Sequence, residues 1–265
     1  DVLDFKELSL GARLGSGAGA TVYSAEWRQR QVAAKIWEAE KFSDGTAHGE
    51  WAVNRVAAKP GNPTLVGVLG CFEEPKPGMV LELLQGAIAA GGAPNFDTVT
   101  RDATPSQGGT GPLLTATAAL KVAKAVALAC EYLHAHGMIH GDVYLHNTLV
   151  VPEGEVIQGK AIDVSDVRLS DFGAAAVVEG ETGACLQRLE VRSYGWLLQD
   201  LIDMLRESSP DTDVDGLSGL RQLCSCADVS KLPSFSEIAQ KISALFDAAG
   251  IEGSAKKPRL GTAAL

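Results

Sequence analysis

Residues 8–36 alternate apolar and polar positions in short runs broken by glycines. That two-residue period is the mark of half-buried strands and predicts an antiparallel meander of three. Residues 47–58 fit a helix that would turn Trp51, Val53 and either Val56 or Ala57 inward. LVGVLGCF (65–72) and MVLELL (79–84) return to strand-like runs, joined by turn chemistry at 75–78. From Gly86 to Pro112 the chain is rich in Gly, Pro, Ala and Thr, which predicts a long loop with little regular structure, placed where a linker between two lobes would sit. From Leu113 to Ala135 apolar residues recur at helical spacing with no breaker, a long packed helix. Beyond it, short strands at 147–151, 160–164 and 167–170 are followed by helices at 187–206, 216–226 and 234–248. Residues 251–265 lack periodicity and predict a disordered tail. The pattern is α+β: a small antiparallel β-rich part with one main helix over 1–85, a connecting loop over 86–112, and a mostly helical part over 113–250.

A chain of 265 residues, 46% hydrophobic and 21% charged, can bury a sizeable core as one large domain or as two lobes sharing a cleft. The net charge of −10, with no Lys/Arg-rich face, argues against nucleic acid or an anionic membrane as the main partner. No apolar run approaches the ~20 residues a membrane helix needs, so no membrane insertion is expected. The opening DVLDFKELSL lacks the basic start and apolar stretch of a secretory signal. The expectation is a cytoplasmic location, and a start directly on structured sequence suggests a segment with flanking domains in a longer parent chain. Five cysteines without a CxxC pair predict reduced, mostly buried thiols.

Four motifs change the picture. Leu14-Gly15-Ser16-Gly17-Ala18-Gly19-Ala20-Thr21-Val22-Tyr23 is a glycine-rich hairpin, whose backbone N–H groups can approach phosphates with no side chain in the way. By itself it could be only a hairpin, and Ala20 stands where a GxGxxG pattern has its third glycine. Val32-Ala33-Ala34-Lys35 then sets a lysine into an apolar strand, where its charge needs a phosphate or an acidic partner. Glu50 can be that acid, or simply a carboxylate favoured at a helix start. In His140-Gly141-Asp142-Val143-Tyr144-Leu145-His146-Asn147, an Asp able to accept a hydroxyl proton precedes by five residues an Asn able to ligate Mg²⁺. Ser170-Asp171-Phe172-Gly173 supplies a carboxylate for the same ion.

From about Leu10 to Phe246 this order of motifs resembles the protein kinase family, and its later stretches resemble the tyrosine-kinase-like group. Lys231-Leu232-Pro233-Ser234-Phe235 and the Glu190-Val191-Arg192-Ser193-Tyr194-Gly195 helix carry the likeness in the second half. The resemblance implies a bilobal fold that takes ATP and Mg²⁺ as cofactors. It implies that Gly15, Ser16, Gly17 and Val22 cover the triphosphate, that Leu14 and Ala33 also belong to the cofactor site, and that Leu149 is the adenine floor. Lys35 would anchor the α- and β-phosphates, with Glu50 pairing it, and Leu81, Glu82 and Leu83 would form gatekeeper and hinge. Asp142 would be the catalytic base, while Asn147 and Asp171 would hold the metal.

The departures carry information too. Gly141 replaces the arginine of His-Arg-Asp, through which a phosphorylated activation segment is commonly sensed. Glu190 comes nineteen positions after Asp171, about half the family's usual stretch, with no Ala-Pro-Glu between them. The arginine that pairs with that motif's glutamate is Leu232 here, so both halves of a buried ion pair are gone together, leaving no stranded charge. Tyr144 and His146 stand where the family places cations that neutralise the γ-phosphate. An insertion at 152–159 lengthens the route from Asn147 to Asp171.

Three functions fit these residues. The first is a protein kinase acting on a Ser or Thr, or a Tyr, hydroxyl of a protein substrate, with a phosphorylation-independent activation segment and reduced turnover. The second is a small-molecule kinase, since His-Gly-Asp with Asn five later also resembles aminoglycoside and choline phosphotransferases. The third is a pseudokinase that binds nucleotide, or nothing, and acts as an interaction module.

Overall fold

A computed structural model describes residues 2–17, 19–42, 45–57, 59 and 62–251. The predicted meander is present as β1 (Leu8–Ser16), β2 (Ala20–Trp27) and β3 (Arg30–Trp37). A ribbon of β4 (Lys41–Phe42) and β5 (Gly45–Thr46) leads into helix α1 (Ala47–Ala57). Strands β6 (Val68–Phe72) and β7 (Gly78–Glu82) complete a five-stranded sheet in the order β1-β2-β3-β7-β6, every neighbouring pair antiparallel.

Alternation along β3 decides what each face of this sheet does. Val32, Ala34 and Ile36 join Leu8, Phe72 and Val80 in a small core on one face. Lys35 and Trp37 point to the other, towards α1. In α1 the buried positions are Ala47, Glu50, Val53, Asn54 and Ala57. Of the two predicted alternatives Ala57 turns inward and Val56 outward, because the buried stripe follows Glu50.

After β8 (Ile88–Ala89), residues up to 112 carry one 3-10 turn (Pro105–Gln107) and otherwise irregular backbone. They are nonetheless packed: Ala90, Asp102, Ala103 and Thr104 are buried. Strand β9 (Leu113–Leu114) then leads to α2 (Ala116–Ala135), capped by the Thr115 side chain accepting from Ala118 N. Next come β10 (Met138–Ile139), β11 (Thr148–Pro152), β12 (Ala161–Ile162), β13 (Val164–Leu169) and β14 (Ala176–Val177). Strands β13, β11 and β8 make a small sheet under the cleft.

The second lobe closes with α3 (Gly180–Ser208), α4 (Asp215–Leu223) and α5 (Phe235–Ala248). The predicted start of α3 at 187 is corrected: the helix begins at Gly180, two turns earlier. GETGAC has no apolar period to announce a helix, and Gly183 packs so closely on Val178 that a Cβ would lie 2.9 Å from its backbone. The helix α2 buries its apolar face against α5 and α3, and Tyr194 Oη donates to Ala123 O at 2.9 Å inside that core. The architecture is the expected bilobal α+β fold. The predicted tail beyond Ile251 lies outside the described residues.

Candidate active site

The register of the first sheet lines up Gly15, Val22 and Lys35 on three adjacent strands. Gly15 and Gly17 have nothing within 4 Å of where a Cβ would stand, so this backbone is open above the sheet. Gly17 N–H donates to Ala20 O at 2.9 Å and closes the turn; Ala18 lies outside the described residues. Leu14 is exposed, and Ser16 ends β1. Ala33 pairs with Leu81 on the neighbouring strand. Leu83 follows the last residue of β7, and Leu149 sits on β11 between Ala89 and Arg168. The Glu82 carboxylate takes Gly67 N–H at 3.3 Å and faces Arg168 and Arg30.

Lys35 is 9% exposed and meets two carboxylates, Glu50 at 2.5 Å and Asp171 at 2.9 Å. The other oxygen of Glu50 accepts from Trp37 Nε1 at 2.8 Å, so both oxygens of this buried acid are satisfied. Burial alone would disfavour the charge on Lys35, but Asp171 and Glu50 outweigh it and raise its pKa. The Asp171 side chain is half-exposed; partial desolvation pushes its pKa up, yet the ammonium of Lys35, with His140 and Gly173 N–H adding, holds it below the usual carboxylate range. Asp171 adopts φ +60°, in the left-handed region that residues other than glycine seldom occupy. It therefore stays anionic and is held in a conformation that costs energy.

Below it, residues 140–147 are cross-braced. Asn147 Nδ2 donates to Asp142 Oδ2 at 2.7 Å and to Asp142 O at 3.0 Å. Asn147 O accepts from both Ser170 N and Ser170 Oγ, at 2.9 and 2.8 Å, tying the loop to the residue before Asp171. His140 is fully buried, with Nε2 3.0 Å from Ser170 O and Nδ1 3.3 Å from Asp142 N. A carbonyl on one side and an N–H on the other place its proton on Nε2. Glu190 lies on α3 beneath, its carboxylate accepting Gly141 N–H at 2.7 Å and meeting His134 Nε2 at 2.8 Å.

The family described as protein kinase domain matches residues 8–215, most of the chain. The chain belongs to the protein kinase family. Among curated relatives, mitogen-activated protein kinase kinase kinase 7 from Homo sapiens is 26% identical over 212 residues, 76% of this chain and 32% of that protein. The probable serine/threonine-protein kinase gdt4 from Dictyostelium discoideum is 24% identical over 182 residues, 68% of this chain and 10% of that protein. The chain thus spans a third or less of the length of these relatives.

The departures of this kinase domain have visible causes. Gly141 sits at φ +80°, and a Cβ there would lie 2.4 Å from Ala174 O, so the backbone has no room for an arginine. Helix α3 begins nine residues after Asp171, and the space of an activation segment holds only β14 and the first turns of that helix. His146 bonds a buried carboxylate: its Nδ1 lies 2.5 Å from Asp102 Oδ1. Burial opposes its charge, but Asp102, with Asp142 and Asp171 adding, raises its pKa above the usual histidine value. Two residues escaped the sequence pattern. Trp37, two positions beyond Lys35 on the same strand face, was within reach of the alternation rule. Asp102 carried no signal, lying in a stretch without periodicity.

Proposed function

We propose that this domain is an ATP- and Mg²⁺-dependent protein kinase that transfers the γ-phosphate to a serine or threonine hydroxyl, with tyrosine as a further acceptor. The observation that carries the proposal is the joint assembly of Lys35–Glu50–Asp171 with Asp142–Asn147 around one cleft. Magnesium suits the donor set. It binds through one or two protein oxygens plus substrate phosphates, and Asn147 and Asp171 supply those, with no larger group of ligating side chains among the described residues. When bound, the ion would neutralise charge on the phosphates. The open backbone at Gly15 and Gly17 would accept phosphate oxygens, and Lys35 would anchor the α- and β-phosphates. Leu81, Leu83, Ala33 and Leu149 would enclose adenine. Asp142, with a free share of its carboxylate, would orient the acceptor hydroxyl and take its proton. Positioning and charge neutralisation then supply the catalysis.

The short route from Asp171 to α3 favours a second possibility, a small-molecule kinase, because no long segment is left to dock a peptide. Incubation with γ-labelled ATP, Mg²⁺ and either generic protein substrates or a set of aminoglycoside and choline-type alcohols separates the two. Label on protein is the expected result; transfer to metabolites alone would overturn the protein-kinase assignment.

A further inference from the structure

Asp102 lies forty residues before the catalytic base, in irregular backbone, yet it is 3% exposed. A carboxylate buried to this extent is costly unless its hydrogen bonds are complete, and both its oxygens are used on one target. Oδ2 accepts Leu145 N–H at 2.6 Å and Oδ1 meets His146 Nδ1 at 2.5 Å. Leu145–Asn147 is a single 3-10 turn, and Leu145 N–H is one of the donors such a turn leaves unpaired at its start. Asp102 thus caps, from a distant part of the chain, the turn that joins Asp142 to Asn147.

Its own position is secured on the other side. Ala103 N–H donates to Gly92 O at 2.9 Å. Arg101 donates through Nε to Asp200 Oδ1 on α3 at 2.6 Å and lies over the ring of Trp196. The approach to the loop is close, since a Cβ on Gly91 would lie 2.6 Å from Leu145 Cβ.

We propose that Asp102 is a positioning residue for phosphoryl transfer, a strut from the segment between the lobes that holds Asp142 and Asn147 in register. The inference rests on the kinase activity proposed above. Steady-state kinetics of D102A and D102N, with folding checked by thermal melting, tests it. D102A should lower kcat at least tenfold while KM for ATP stays within twofold. D102N should recover most of the loss, because its amide oxygen can accept Leu145 N–H while its NH₂ donates to the ring of His146. Loss of stability alone would lower the melting temperature and leave kcat per folded molecule unchanged. D102A folded with wild-type kcat, or D102N as impaired as D102A, overturns the proposal. If D102A does not fold, H146A removes one of the two bonds and H146N, with a donor amide, restores it. Lower kcat at constant KM, recovered in H146N, supports the strut, and wild-type kcat in H146A overturns it. If the wild-type domain transfers no phosphate, the kinase proposal fails separately. Asp102 is then judged by the Mg²⁺-dependent part of the ATP-induced rise in melting temperature, which D102A should shrink and an unchanged value would contradict.

Discussion

Single residues set the limits of this site. Gly141 looks like a lost arginine, but the φ of +80° and the 2.4 Å approach to Ala174 O show a backbone that only glycine fits. Restoring the family residue should therefore harm the domain. G141A and G141R are expected to lose at least about 1–2 kcal/mol from left-handed strain, before any clash is counted. Thermal melting checks this, and an unchanged melting temperature in G141R would contradict it. Trp37 makes a second residue-scale claim. Its N–H completes the bonding of the acid that pairs Lys35, and a hydrogen bond to a charged group contributes roughly 1.5–3 kcal/mol. W37F keeps most of the ring and removes the donor, so KM for ATP should rise several-fold with a smaller change in kcat. Isothermal titration with ATP would show the same loss directly.

At the scale of elements, α3 integrates the second lobe. Glu190 holds Gly141 and His134, Tyr194 reaches α2, and Asp200 takes Arg101 from the segment that bears Asp102. Burial raises the Asp200 carboxyl most, Arg101 pulls it back and Asp102 and Asp203 push it up again, leaving it at about 7. A folded pKa above the unfolded value near 3.9 stabilises fully only below about pH 4, and the contribution is lost as pH rises through about 7. The melting temperature of the wild type should fall between about pH 4 and 7, and D200N should flatten that slope. Equal slopes in the two proteins would refute the assignment. Strands and the motif residues were legible because Gly15, Lys35, Asp142, Asn147 and Asp171 are chosen by chemistry at fixed spacing, and β3 alternates cleanly. The early start of α3 and the packing of residues 86–112 were not, because GETGAC and the Gly/Ala-rich stretch are ordered by contacts made far away in sequence. Asp102 is the clearest case: nothing beside it in the chain announces its partners, which lie 43 and 44 residues on.

For the whole molecule, the arrangement is assembled without a long activation segment. Lys35 contacts both Glu50 and Asp171 while only eight residues bridge Asp171 to α3 and glycine stands where the family has its phosphate-sensing arginine. Activity should accordingly be indifferent to phosphorylation of that segment. Phosphatase treatment is expected to leave the transfer rate within about twofold, since Gly141 replaces the arginine that would pair with such a phosphate. A large loss of rate would point to a phosphate site elsewhere. No helix among the described residues is long and apolar enough to cross a membrane. The most direct test of the central claim is γ-phosphate transfer to a protein substrate by wild type and D142N, measured beside the ATP·Mg²⁺-induced shift in melting temperature. Wild type should transfer phosphate, and D142N should lose on the order of 10²–10⁴-fold in rate with the melting shift retained. Two proteins equally silent in transfer, both still stabilised by ATP·Mg²⁺, would make the domain a binding module and contradict the assignment.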